Sequence, residues 1–227
     1  ANWRISDDWG FKFVSARRES DTETNIDFDT TQATIADVKA FYSDEQVSHE
    51  LQFNYDGGGR ARGVMGVYYF DGEAGGQVLN NFFGLLFGDT QGTVYTDSIA
   101  VYGDWSFDLT DKWKLDAGLR WTDETKSTVI AFPFVHSFIT TAFGAVASGF
   151  EADPVTFKDS NISPEVVLRY TPNDDINVYA AFKSGFKSGG VDNNLLPTGT
   201  VVPGLNSPDP VVAEAAEWAL ARLTSNP

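Results

Sequence analysis

Residues 109–125 read LTDKWKLDAGLRWTDET. From Trp113 the odd positions are Trp113, Leu115, Ala117, Leu119 and Trp121, and the even ones are Lys114, Asp116, Gly118, Arg120 and Thr122. Successive side chains of a β-strand point to opposite faces, so this is a strand with one dry face and one wet face. The dry face meets either the core of a soluble β-sandwich or the hydrocarbon of a membrane. Alternation alone does not separate the two, and the neighbouring segments have to.

The same period of two recurs along the chain. Residues 46–55 set Val47, Leu51, Phe53 and Tyr55 against Gln46, Ser48, Glu50, Gln52 and Asn54. Residues 98–109 set Ile99, Val101, Trp105, Phe107 and Leu109 against Ser98, Tyr102, Asp104, Ser106 and Asp108. Residues 165–171 set Val166, Leu168 and Tyr170 against Glu165, Val167, Arg169 and Thr171, and residues 176–187 set Ile176, Val178, Ala180, Phe182 and Phe186 against Asn177, Tyr179, Lys183 and Lys187. Residues 10–19 and 62–70 are less tidy, and adjacent Val64 and Met65 leave the facing of the second run open. About eight strands result, each near the 9–11 residues that cross a bilayer at a tilt.

The connections separate into two classes. Tight ones rich in Gly, Asn, Asp or Pro fall at 6–10, 56–60, 110–112 and 171–175, where such residues supply the dihedrals of hairpin turns. Long ones fall at about 20–44, 71–95, 123–159 and 188–210. The classes alternate strictly. Compact soluble domains rarely hold loops beyond about 12–15 residues, whereas outer-membrane barrels put short turns at one rim and long loops at the other. Trp3, Trp9, Trp105, Trp113, Trp121, Tyr170 and Tyr179 lie in or beside the strands, as interfacial girdles require, although a sandwich core would also take some of them. The last segment, 210–223, has Ala-rich helical spacing and predicts a short helix.

Composition removes several classes of function. With 42% hydrophobic and 14% aromatic residues, the 227-residue chain is too apolar for disorder. It has no apolar run of helix-spanning length, and a mean hydropathy of -0.22 is neutral with respect to barrels, whose lipid-facing residues alternate with polar ones. A net charge of -16 argues against nucleic acid, whose binding depends on neutralising phosphates. With no Cys there are no disulfides, Cys-held metals or thiol chemistry.

Three hairpins carry a resemblance. DEQVSHELQFNY (44–55) with GVMGVYYFDG (63–72), then TDSIAVYGDWSFDLTDKWKLDAGLRWTDETK (96–126), then ISPEVVLRYTPNDDINVYAAFKSGFKSGG (162–190), resemble consecutive barrel hairpins of TonB-dependent outer-membrane receptors. The resemblance implies an all-β fold: an antiparallel up-and-down transmembrane barrel segment with alternating short turns and long loops. It also implies the outer membrane of a Gram-negative bacterium, lipid as a partner, and uptake of a ferric siderophore, cobalamin, sugar or haem. Energy would come from the TonB complex, acting only through a plug domain. No signal peptide, plug or TonB-binding box is recognisable, so residues 1–227 are expected to be an internal, partial barrel domain lacking the C-terminal strands. A passive porin-like barrel and a soluble secreted sandwich that binds a ligand stay open as alternatives.

No enzymatic constellation appears. His49 and His136 have no carboxylate at metal-ligand spacing, no Gly-x-Ser-x-Gly elbow occurs, and no cofactor or metal is expected. The Gly57–Gly59 run and the paired acids Asp7–Asp8 and Asp174–Asp175 read as turn residues. If Ile99, Val101, Trp105, Phe107, Trp113, Leu115, Leu119 and Trp121 face lipid, then Arg120, Arg169, Lys183 and Lys187 line the lumen, where basic groups suit an anionic ferric chelate. The loop bearing Phe132, Phe134, His136 and Phe138 is the candidate for outer capture, with Phe134 and His136 as contacts, because loops carry binding on such scaffolds.

Overall fold

In the computed structural model, which describes residues 1–189, the chain is one antiparallel sheet. Its strands are β1 (Asn2–Arg4), β2 (Trp9–Asp27), β3 (Ala36–Asp56), β4 (Ala61–Phe82), β5 (Leu85–Asp108), β6 (Trp113–Val135), β7 (Phe150–Glu151), β8 (Val155–Asn173) and β9 (Ile176–Lys183). The order is β1-β2-β3-β4-β5-β6-β8-β9, with β7 on the far end of β6. Each long strand pairs with its neighbour in sequence, an up-and-down meander that stays open, with β1 and β9 at its edges. No second sheet packs against it among the described residues, and no large side chain there is fully buried. A soluble sandwich requires the reverse.

The strands are longer than alternation suggests. β2 to β6 run 19 to 24 residues instead of the 9–11 expected, because three of the expected loops continue as paired strand. Thus 71–95 is a hairpin whose tip is only Phe83 and Gly84, at φ 53° and 73°. Two successive positive φ values make the tight turn that matches the twist of its strands. The four tight turns fall where composition puts them. In each of them a side-chain oxygen holds the turn: Ser6 Oγ accepts from the Asp8 and Trp9 amides, Asp56 Oδ1 from Gly58, Thr110 Oγ1 from Lys112 and Trp113, and Asn173 Oδ1 from Asp175. The helix expected over 210–223 lies outside the described residues.

Register sorts the side chains onto two faces. Tyr55, Phe53, Leu51 and His49 of β3 lie beside Trp9, Phe11, Phe13 and Ser15 of β2, and Phe53 and Leu51 beside Met65 and Val67 of β4. Phe107, Trp105, Val101 and Ile99 of β5 oppose Leu115, Ala117, Trp121 and Asp123 of β6 on this apolar face. The facing that Val64 and Met65 left open is thereby resolved, with Met65 on the apolar face. Rings line its turn end: Trp9 lies 4.9 Å from Tyr55, Tyr55 5.8 Å from Trp105, and Trp113 4.4 Å from Tyr170. Trp113 and Trp121 are eight positions apart, about 26 Å of strand, or roughly 20 Å of height at a barrel tilt. Within this band Gly66 is obligatory, since a Cβ there would lie 2.6 Å from the Leu51 carbonyl and 2.7 Å from the Tyr102 hydroxyl on the other face.

Past the band the two faces exchange character. The apolar face becomes acidic, with Glu19, Asp21 and Glu23 on β2, Glu45 on β3, Asp71 and Glu73 on β4, and Asp97 on β5. The opposite face becomes apolar, with Ala40 on β3, Val78 on β4, Val94 on β5, and Ile130 and Phe132 on β6. Over Ile130, Phe132 and Val135 folds the segment that follows β6. It contains helix α1 (Ser137–Phe143), capped by His136 and by left-handed Gly144, and buries Ala145 with Ile139, Val146 and Ala152 alongside.

Candidate functional site: the polar face of the sheet

Even positions of β5 and β6 bring the charged and hydroxyl side chains together, because adjacent strands carry them in register. Nearest the turns, Asp108 accepts from Arg62 at 3.1 Å and pairs with Lys114 at 3.3 Å. One level on, Arg169 of β8 lies 3.9 Å from Asp116, and Lys183 of β9 pairs with Glu165. Two of the expected inward cations, Arg169 and Lys183, therefore already face a carboxylate. Ion pairs this open to solvent contribute little stability each. Their effect here is to cancel charge along the face.

Arg120 is differently placed. Its guanidinium sits 5.6 Å from the Tyr68 ring and 5.9 Å from the Tyr102 ring, and its Nε donates to Thr122 Oγ1 at 3.2 Å. The Tyr102 hydroxyl donates onward to Glu50 at 2.6 Å. Among the described residues no carboxylate lies within ion-pair distance of Arg120. Tyr68, Phe70, Ser98, Arg120, Thr122, Glu124, Ser163 and Phe186 enclose a basin of about 390 Å³. Phe186 arrives from the coil after β9, which folds across β8: Ser188 Oγ contacts Glu124 of β6 and accepts from Lys126 Nζ at 2.6 Å. Lys187 lies in this coil. No local pattern in the sequence marks a coil that returns over a neighbouring strand.

Phe134 and His136 lie elsewhere. Phe134 lies at the end of β6 and His136 just past it, fourteen or more positions from Arg120, about 45 Å along the strand. His136 stacks on Phe87 at 4.8 Å, and its Nδ1 accepts the Phe138 amide at 3.2 Å. Its evident role is to start α1 and hold it against β5. The six expected contacts thus form a mid-sheet group around Arg120, a lower pair of bridged cations and a distant aromatic tip, rather than one site.

The tip between β2 and β3 holds a group that spacing did not reveal. Carboxylate oxygens of Asp27, Asp29 and Asp37 lie within 4.8 Å of one another. Such a trio has the donor chemistry for a divalent cation, but both oxygens of Asp29 and Oδ1 of Asp27 are already used. Asp29 accepts from the Thr31 hydroxyl and from the Thr31, Ile35 and Ala36 amides, and Asp27 accepts from the Asp29 and Thr30 amides. The Thr31 hydroxyl and then the Ala36 amide hold the Asp29 carboxyl below its ordinary pKa. These acids shape the turn.

Comparison with known proteins agrees with this architecture. Residues 1–213 match a family described as "TonB dependent receptor-like, beta-barrel". No curated protein matches. Among solved structures, the ferric yersiniabactin uptake receptor FyuA from Yersinia pestis superposes with a TM-score of 0.73 at 18% identity, over 88% of this chain and 29% of that one. The ferric-catecholate import receptor Fiu from E. coli K12 superposes with a TM-score of 0.59 at 15% identity, over 80% of this chain and 34% of that one. The ferric citrate transporter FecA gives 0.51 at 12% identity, over 87% and 27%. At these identities the likeness is one of fold, and the chain spans about a third or less of each neighbour.

Proposed function

Because the chain belongs to the TonB-dependent receptor-like β-barrel family, we propose that it forms a wall sector of an outer-membrane transporter that imports ferric siderophores or similarly scarce nutrients. The family match over residues 1–213 carries this reading. The neighbours described as uptake or import receptors for ferric yersiniabactin and ferric catecholate, and as a ferric citrate transporter, support the ligand class. A family of receptors binds and conducts rather than making or breaking bonds.

On this reading the apolar face, with Ile99, Val101, Trp105, Phe107, Trp113, Leu115, Leu119 and Trp121, meets lipid, and the polar face lines the lumen. The tight turns lie at the periplasmic rim and the long hairpins outside. A band of roughly 20 Å between aromatic rows suits the thin bacterial outer membrane. Arg120 stands half-way up the lumen, and Phe134 and His136 stand above the membrane where a ligand first arrives. Arg169 and Lys183, each with its own acid, hydrate and balance the wall. TonB acts through a domain held in the lumen, not through this sheet.

The test is radioiron uptake by cells carrying the complete receptor, with and without a functional TonB system. Uptake of at least one ferric chelate that stops when TonB is removed is expected. Diffusive, TonB-independent passage would establish the porin alternative instead.

A further inference from the structure

We infer that the Arg120 basin is a receptor for a single carboxylate presented inside the barrel. The inference rests on the proposed reading that the polar face lines a filled lumen. Of the cations at mid-sheet and below on β4, β6, β8 and β9, Arg62, Lys114, Arg169 and Lys183 each face an acid. Arg120, between them and Lys126, faces two rings instead. Tyr68 and Tyr102 hold the guanidinium while Thr122 engages only its Nε. Arg120 lines the basin, and its two terminal nitrogens have no hydrogen-bond or ion-pair partner among the described residues. A planar fork of N–H donors matches a carboxylate's two oxygens, and aromatic backing strengthens the preference by shedding water from the guanidinium.

The rest of the basin fits the same occupant. Thr122 keeps a hydroxyl proton to donate, while the Ser163 and Ser98 hydroxyls engage Asn161 and Glu124; Phe70 and Phe186 supply apolar walls, and the volume of about 390 Å³ admits one carboxylate-bearing side chain or chelate arm. Glu124 stands in the lining, paired with Lys126 at 2.9 Å. Its nearby negative charge disfavours phosphates and other multiply charged anions. The carboxylate belongs either to an acidic side chain of the domain that fills the lumen or to the transported ligand.

Arg120→Gln and Arg120→Lys in the complete receptor separate these sources. The ligand arm compares binding of ferric citrate with that of a carboxylate-free ferric trihydroxamate. The ligand-free arm measures tryptic release of the lumen domain and entry of a large antibiotic. A tenfold or greater loss of ferric citrate affinity in Arg120→Gln, with trihydroxamate affinity and lumen protection unchanged, assigns the carboxylate to the ligand. A tenfold faster release or entry without ligand assigns it to the lumen domain. Arg120→Lys, keeping charge but losing the fork, should give a smaller effect in the same arm, and it decides the matter if Arg120→Gln does not reach the membrane. Changes under twofold in both arms, or equal loss of both chelates with lumen protection intact, overturn the inference. If the unaltered receptor binds neither chelate, that failure belongs to the transport reading, and the ligand-free arm still decides the role of Arg120.

Discussion

Leu51 and Gln52 are adjacent in β3 and point to opposite faces, so one substitution at each position asks which face meets lipid. Leu51 is the middle residue of the apolar run Tyr55, Phe53, Leu51, His49, Val47, and it is 40% exposed. Arginine at the mid-plane of a barrel's lipid face costs about 2–4 kcal/mol. Losing the outward two-fifths of a leucine worth about 2 kcal/mol adds roughly 0.8 kcal/mol. Leu51→Arg should therefore destabilise the barrel by about 3–5 kcal/mol, two to three and a half decades in the folding equilibrium. Gln52→Arg faces Gly66 and lies near the Tyr102–Glu50 pair, so it should cost under about 1 kcal/mol. Urea titrations of the complete protein refolding into lipid vesicles, read by tryptophan fluorescence and heat-modifiable gel mobility, measure both. A cost below about 1 kcal/mol for Leu51→Arg, or an equal cost for the two variants, would refute the assignment of faces.

Three further outcomes follow from local geometry. Gly66→Val should cost about 1–3 kcal/mol in the same titration, because the new side chain meets the Leu51 carbonyl and the Tyr102 ring, and Tyr102→Ala should recover part of it. Phe132→Ala empties the core under the α1 segment, for which about 3–5 kcal/mol is typical of a buried phenylalanine, so limited proteolysis should cut within 136–152 while the band stays intact. The depressed pKa of Asp29 stabilises the β2–β3 tip fully above the ordinary carboxylate value of about 3.9, and that contribution is lost as pH falls through the lower folded-state value. Amide protection at Thr31, Ile35 and Ala36, corrected for intrinsic exchange, should fall in that acid window, and Asp29→Ala should lack the transition.

What was legible in the sequence was the part of each strand inside the band. There one face must be apolar and the other is not, so Trp113–Thr122 and Gln46–Tyr55 announce themselves by period. Beyond the band, Ser20-Asp-Thr-Glu-Thr-Asn25 is polar on both faces, while Gln77 to Thr93 sets large apolar residues side by side at Val78-Leu79, Phe82-Phe83 and Leu85-Leu86-Phe87; either way the period disappears, and paired strand reads as loop. The Phe83–Gly84 tip lacks the Asn-Gly or Asp-Gly signal of such turns. Arg120 was recognisable as lying on the polar face, but the rings that hold it come from Tyr68, 52 positions earlier, and Tyr102, 18 earlier, and only cross-strand register joins them. His136 was visible as a polar residue among phenylalanines, while its work as a helix cap depended on a helix too short for local periodicity to show.

The exchange of character between the faces also has a mechanical consequence. Pushed two residues deeper, the wall would drive Asp71, Asp97 and Asp123 into hydrocarbon; drawn two residues outward, it would strip Trp9, Tyr55 and Trp113 from their interface. Both displacements are only about 5 Å at a barrel tilt, and both are opposed on several strands at once. On the proposed reading the sheet would therefore sit in a steep well along the membrane normal. On that reading a pull exerted on whatever fills the lumen would move that cargo and leave the wall in place, and the sector would serve as the abutment against which the force is applied.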